Sequence, residues 1–298
     1  PRLSVFRLFF FFFVLAFHSN IFAIPFAGPI AVWCFFLISG FLVSNILYGC
    51  YAGRPGAFLQ NRFLRIYPTY WAALAIGFII LAYDPIGYGE FVLDANIPLS
   101  YESFINNLFI FGILPNASQT VVPPAWSLAI ELHWYLLLFA GSFLSKKVVI
   151  AFLLANLFIP FLIIFMWNGN IYGAGAGFAF ALGALAYHIN YQPHIIIQKA
   201  AAAIFPTALL ITPIYFGASA FEINSLAANI HLIISSILVF LALPWLTEQS
   251  NTENKTSWLP NLAGELSYPL FLVQFFGMWI AIKFFGMSRM GWETLFSA

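Results

Sequence analysis

Residues 3–24 read LSVFRLFFFFFVLAFHSNIFAI. A helix needs roughly 20 mostly apolar residues to cross the hydrocarbon core of a bilayer, and this run supplies them. Arg2 and Arg7 stand ahead of the phenylalanines, as basic residues do in a secretory leader. A leader is followed by a secreted domain, whereas this run is followed by more apolar sequence. The segment is therefore read as a first transmembrane helix. The chain opens on Pro1 and not on Met, so its true start is expected to lie upstream.

The composition extends this reading to the whole chain. Of 298 residues, 62% are hydrophobic and 7% charged, with 37 Phe, 13 Tyr and 9 Trp. A soluble domain is about half apolar and about a quarter charged. Eleven basic and ten acidic side chains cannot cover a globule this apolar. A soluble enzyme and a disordered chain are excluded. A net charge of +1 offers no basic stripe, so no nucleic-acid partner is expected. The solvent for most of the surface is the lipid bilayer. Cys34 and Cys50 have neither metal-ligand spacing nor a disulfide framework, so no metal is expected.

Nine spans are read, over about 3–24, 28–48, 67–83, 124–144, 148–167, 171–189, 200–219, 228–247 and 262–285. The third is short. Residues 104–114 read as an interfacial or re-entrant piece. The sixth span carries Gly173, Gly175, Gly177 and Gly183, which permit close helix approach. The fold class is all-α and polytopic, and residues 1–298 are expected to form a single membrane domain. With the N-terminus cytoplasmic, the inner side carries Arg2, Arg7, Arg54, Arg62, Arg65, Lys146, Lys147, Lys199 and Lys255. The outer side keeps only Lys283 and Arg289, as the positive-inside rule requires.

Ionisable groups at membrane depth are functional candidates. Arg7 and His18 are eleven residues apart in the first span. At 100° per residue they share a face, roughly 16 Å apart along the axis. Glu131 lies in the fourth span at a depth that matches His18, roughly 10 Å from the outer surface. A carboxylate at that depth can orient an imidazole and raise its basicity. Matching depth does not by itself bring the two helices together. Arg62 and Arg65, three residues apart, share a helix face near the inner mouth. They read either as ligands for a phosphate-rich molecule or as anchors that snorkel to headgroups.

Five stretches in order carry a resemblance. The first is RLFFFFFVLAFH, an Arg, ten mostly apolar residues, then His. The second is VWCFFLISGFLVSNIL and the third RFLRIYPTYW. The fourth is WSLAIELHWYL and the fifth LSYPLFLVQ. Together they resemble the membrane acyltransferase-3 family, whose members include O-antigen, exopolysaccharide, nodulation-factor and peptidoglycan O-acetylases. Two departures stand out. That family has ten spans, so a last helix is apparently missing here. Gln274 stands where many members have His.

The resemblance implies transfer of an acyl group, commonly acetyl, from cytoplasmic acyl-CoA to a hydroxyl of a glycan or lipid-linked saccharide. Acyl-CoA would be a co-substrate, with no tightly bound cofactor. The usual setting is the bacterial inner membrane. On this reading Arg7, Arg62 and Arg65 bind acyl-CoA and His18 is the general base. Glu131 then orients His18 or binds acceptor hydroxyls. A ping-pong route acylates His18, Ser39 or Ser127 first. Both serines also read as small residues at helix contacts. Ser127 shares a face with Glu131. Ser267 and Gln274, seven apart, either line the pocket or pack. Tyr67 and Trp71 read as interface aromatics. The alternative function is a proton-coupled transporter using His18 and Glu131. It lacks the two matched halves with broken helices that many carriers show.

Overall fold

The structure is a computed structural model and describes residues 2–19, 27–89, 100–113, 120–167, 171–216, 226–248 and 258–285. Among these residues there is helix and no strand. The helices are α1 (Arg2–Ser19), α2 (Ala27–Asn45), α3 (Pro55–Tyr83), α4 (Pro85–Gly89), α5 (Tyr101–Phe109) and α6 (Ala125–Gly141). They continue as α7 (Lys146–Trp167), α8 (Ile171–His188), α9 (Ile195–Phe216), α10 (Leu226–Thr247) and α11 (Trp258–Phe285). Each of the nine apolar runs read from the sequence coincides with one of the longer helices. By length and composition, four stretches can cross a membrane: Ala27–Cys50, Pro55–Tyr83, Ile230–Thr247 and Gly264–Phe285. The chain is an all-α, polytopic integral membrane protein.

The chain divides into two compact units. The first comprises Pro1–Pro55 and Trp134–Gly264. Its hub is α2, which packs against α1, α8 and α10. Ile30, Trp33, Cys34 and Leu37 of α2 are fully buried, as expected of a helix that is apolar all round. The glycine reading of the sixth span holds at Gly183. A Cβ there would strike the carbonyl of Leu37, and one on Gly40 would strike that of Phe180. The backbones of α2 and α8 therefore touch, because neither contact position carries a side chain. Gly173 and Gly175 lie where no side-chain placement is described. On α1, Phe10 sets its ring edge-on against Phe35 of α2 and Phe205 of α9, with centroids 5.5 and 5.6 Å away. The Arg2 guanidinium lies over the Trp245 ring and bonds the Trp245 carbonyl and Glu248, at 3.1 and 3.0 Å. This fixes the amino end of α1 to the carboxyl end of α10. A π-helical turn, Ile46–Cys50, extends α2. It brings Tyr48 onto the Leu138 carbonyl at the far end of α6, at 3.1 Å.

The second unit comprises Gly56–His133 and Glu265–Ala298. Here the structure corrects the third span. The helix is 29 residues long and starts at Pro55, so it is not short and Arg62 and Arg65 are helical. Proline is well placed at a helix start, where its missing N–H is not needed. Beyond Gly56 the stretch AFLQNRFLRIY contains no helix breaker.

Of residues 104–114, read as interfacial or re-entrant, the structure describes 104–113. Helix α5 runs antiparallel beside α3, with Phe104 against Phe78 and its last turn beside Tyr67. Ser100 caps its start by accepting the Ser103 N–H. The last carbonyls of a helix lack partners within it. Those of Asn107, Leu108 and Phe109 receive Tyr70, Trp71 and Tyr67, at 2.6, 3.0 and 2.7 Å. Tyr67 is buried and Trp71 is 37% exposed. Both therefore serve α5, where the sequence suggested interface anchors. Residues 114–119 and residues 249–257, with Lys255, lie outside the described residues. So do Glu90, Asp94 and the segment 286–298 with Arg289.

Contacts at the helix ends agree with alternating spans. Asp84, just past α3, accepts Trp279 Nε1 and pairs with Lys283 near the end of α11, both at 3.0 Å. It also accepts the Gly87 N–H at 3.2 Å. The Lys283 and Trp279 hydrogen bonds, in that order, hold the Asp84 carboxyl below the usual carboxylate range.

Candidate functional site

In the first unit, Arg7 and His18 both lie on the uninterrupted helix α1 and both are half-buried. The continuity of the helix keeps the shared face that their spacing requires. The His18 ring meets Phe17 edge-on, with centroids 5.4 Å apart. Phe17 in turn packs on Gly28 of α2. Ser39 is half-buried on α2, one residue before the contact glycine Gly40.

The second unit holds the remaining candidates. Arg62 is buried to 7% exposure. One of its terminal nitrogens donates to Asn61 Oδ1 at 2.6 Å, and the guanidinium lies over the Phe58 ring. Its Nε is buried with no acceptor among the described residues. Arg65, one turn on, is exposed. The two arginines thus differ in environment despite their i, i+3 spacing. Glu131 is half-buried on α6. Ser127, one turn earlier, donates its hydroxyl to the Pro124 carbonyl at 2.8 Å, at the start of α6. Ser267 and Gln274 of α11 are both buried. Neither the Gln274 amide nitrogen nor its oxygen has a partner among the described residues.

Tyr268 draws part of this set together. Its hydroxyl donates to the Ile66 carbonyl at 3.0 Å, between Arg65 and Tyr67. It lies within electrostatic reach of Glu131, Tyr70, Arg65 and Tyr67. A carboxylate from α6, a guanidinium from α3 and a phenol from α11 therefore act on one locality. Each of α3 and α11 has a proline next to this contact, Pro68 and Pro269. A proline lacks the N–H that would close the helical bond four residues back. Tyr268 lies in the SYPLF segment, where the motif by itself does not single it out. The signal available was its adjacency to Ser267 inside a matched motif.

Residues 1–297 match the family described as an acyltransferase domain, acyltransferase-3. The chain belongs to that family. It is also similar to "Protein 2 in picA locus" of Rhizobium radiobacter, 35% identical over 122 residues. That match covers 36% of this chain and 63% of the relative. No solved structure matches the chain. The family match spans both units. It includes Arg7, His18 and Ser39 in the first and Arg62, Arg65, Ser127, Glu131, Ser267 and Gln274 in the second.

Proposed function

We propose that the chain is an integral-membrane O-acyltransferase. It moves an acyl group, acetyl in the simplest case, from acyl-CoA to a hydroxyl of a glycan or lipid-linked saccharide. The family match carries the reaction class. The observation that supports the donor is Arg62, a buried guanidinium whose Nε has no acceptor among the described residues. Leaving a buried charged donor unsatisfied costs more than a typical hydrogen bond contributes. A phosphate oxygen of CoA would satisfy it, with Arg65 adding charge.

The acceptor hydroxyl attacks the thioester carbonyl carbon, and its proton passes to the neutral imidazole of His18. The carbon–sulfur bond then breaks, and the thiolate takes that proton to leave as free thiol. Glu131 binds acceptor hydroxyls. The occupied hydroxyl of Ser127 speaks against an acyl-serine there. The family match weighs against the transporter reading. A bacterial cytoplasmic membrane is the proposed setting.

The test is transfer of radiolabelled acetyl from acetyl-CoA in membranes containing the full chain, with the labelled product identified. His18→Ala is expected to abolish transfer while the protein still inserts and purifies as a monodisperse species. Full transfer by that variant would remove His18 from the reaction.

A further inference from the structure

A cavity of about 260 Å³ opens in the first unit at the start of α7, away from Arg7, His18 and Ser39. At ~30 Å³ per water it has room for roughly eight. Its wall includes Tyr48, Ser142, Lys146, Tyr187, His188 and Asn190. Among the described residues no carboxylate lines it.

Several donors converge there. The 22-residue helix α7 begins at Lys146, and its intrahelical bonding starts only with the acceptor Ser145. The first-turn amides of a helix are unsatisfied donors at the positive end of its dipole. Lys146 adds a full charge from an exposed position. The independent observation is His188. Its side chain is 5% exposed, it lines the cavity, and its Nε2 has no partner among the described residues. A buried ring nitrogen left in that state keeps its desolvation cost with no bond to offset it.

The local structure fixes this histidine without satisfying it. Helix α8 ends in two bonds, Asn190 N–H to the Tyr187 carbonyl and Tyr191 N–H to the Ala186 carbonyl. Asn190 takes a positive φ of 51°. This is the Schellman arrangement, which occupies the last carbonyls of a helix. It leaves His188 on the closing turn. The Tyr48 ring meets the imidazole edge-on, 4.7 Å between centroids. Tyr48 and Ser142 direct their hydroxyl protons to the carbonyls of Leu138 and Phe139. The walls are therefore built, and Lys146, His188, Asn190 and the α7 amides remain to receive a ligand.

We propose that this cavity binds an anionic phosphate group. Its source is either the headgroup of an anionic phospholipid or a soluble phosphate. The free amides of Lys146 and Lys147 and the Lys146 ammonium meet the anionic oxygens, and the His188 imidazole donates to another of them. The site lies at the end of the first unit that the lysine and arginine distribution assigns to the cytoplasm. Anionic lipid headgroups attract basic residues on that side.

The test uses the full chain in dodecyl maltoside, a detergent that carries no phosphate. One arm adds phosphatidylglycerol or phosphatidylcholine and counts retained lipid by native mass spectrometry. The other titrates inorganic phosphate calorimetrically. At least one arm is expected to show saturable binding at one site, with phosphatidylglycerol preferred over phosphatidylcholine in the lipid arm. Lys146→Ala and His188→Leu are each expected to weaken it by about tenfold, the scale of one charge-assisted hydrogen bond. His188→Gln, whose amide still donates, restores most of the loss. Lys146 is exposed, so its variant carries the test if His188→Leu fails to fold. Retained phosphatidylglycerol identifies a lipid source, and phosphate binding a soluble one. No binding in either arm overturns the proposal, as does binding that Lys146→Ala leaves unchanged. Acyl transfer is not read, so this site and the proposed reaction stand or fall separately.

Discussion

Replacing Arg62 by lysine keeps one positive charge and discards the planar fork that meets two phosphate oxygens at once. If Arg62 binds acyl-CoA, Arg62→Lys weakens equilibrium binding of acetyl-CoA by about tenfold, one charge-assisted hydrogen bond's worth. Arg65→Ala, at an exposed position, is expected to lose less, and its loss is expected to fade as salt rises. Unchanged affinity in Arg62→Lys would make the buried guanidinium a structural group held by Asn61 and Phe58. The sequence marked both arginines through their motif. It could not separate them, because i, i+3 spacing fixes a shared face and not the depth to which that face is covered. Tyr268 was hidden for a related reason. Its importance lies in a bond to the Ile66 carbonyl, 202 residues earlier in the chain.

Among the elements, the contact between α2 and α8 makes the sharpest demand on the sequence. Any Cβ at Gly183 must displace the Leu37 carbonyl, which is backbone and has little room to give. Gly183→Ala is therefore expected to destabilise the protein by roughly 1–3 kcal/mol, the usual range for overpacking. A lowered midpoint of thermal unfolding would show it, and an unchanged midpoint would mean the helices can separate cheaply. The link at Asp84 makes an acid-side prediction. Its carboxyl is held below the ordinary value by Lys283 and Trp279. The contribution is full above the unfolded value of about 4 and is lost as pH falls through the lowered folded value. In thermal melts between pH 7 and pH 3, the wild type should lose more stability at the acid end than Asp84→Asn. Parallel curves would contradict this. Periodicity and hydropathy located the nine long helices because burial in lipid demands long apolar runs. They shortened α3 because its first turns, around Arg62 and Arg65, are too polar to count as a span. They left α5 ambiguous because nine residues cannot cross a bilayer.

For the whole molecule, the charge distribution makes a claim about direction that Cys50 can report. Cys50 is exposed and follows the inner end of α2 on that reading, while Cys34 is buried. A membrane-impermeant maleimide should label wild-type protein in inside-out vesicles and not in right-side-out ones. Cys50→Ser should abolish the label. Labelling from the opposite side would reverse the orientation throughout. Alternation itself has structural support within each unit. Arg2 meets Glu248, Tyr48 meets Leu138, and Asp84 meets Lys283, each pair at ends assigned to the same face. The family was legible in five ordered motifs. The division into two units was not legible, because two of its boundaries interrupt no helix. One boundary falls inside α6 and another inside α11.

The three donors that receive the carboxyl end of α5 all belong to α3. Ribosomal synthesis is vectorial, so α3 leaves the exit tunnel before α5 does. Tyr67, Tyr70 and Trp71 can thus be in the bilayer when the carbonyls of Asn107, Leu108 and Phe109 arrive. A chain permuted so that α5 preceded α3 would hold those carbonyls in lipid without donors for their lone pairs. The order of helices along the gene therefore doubles as an assembly order.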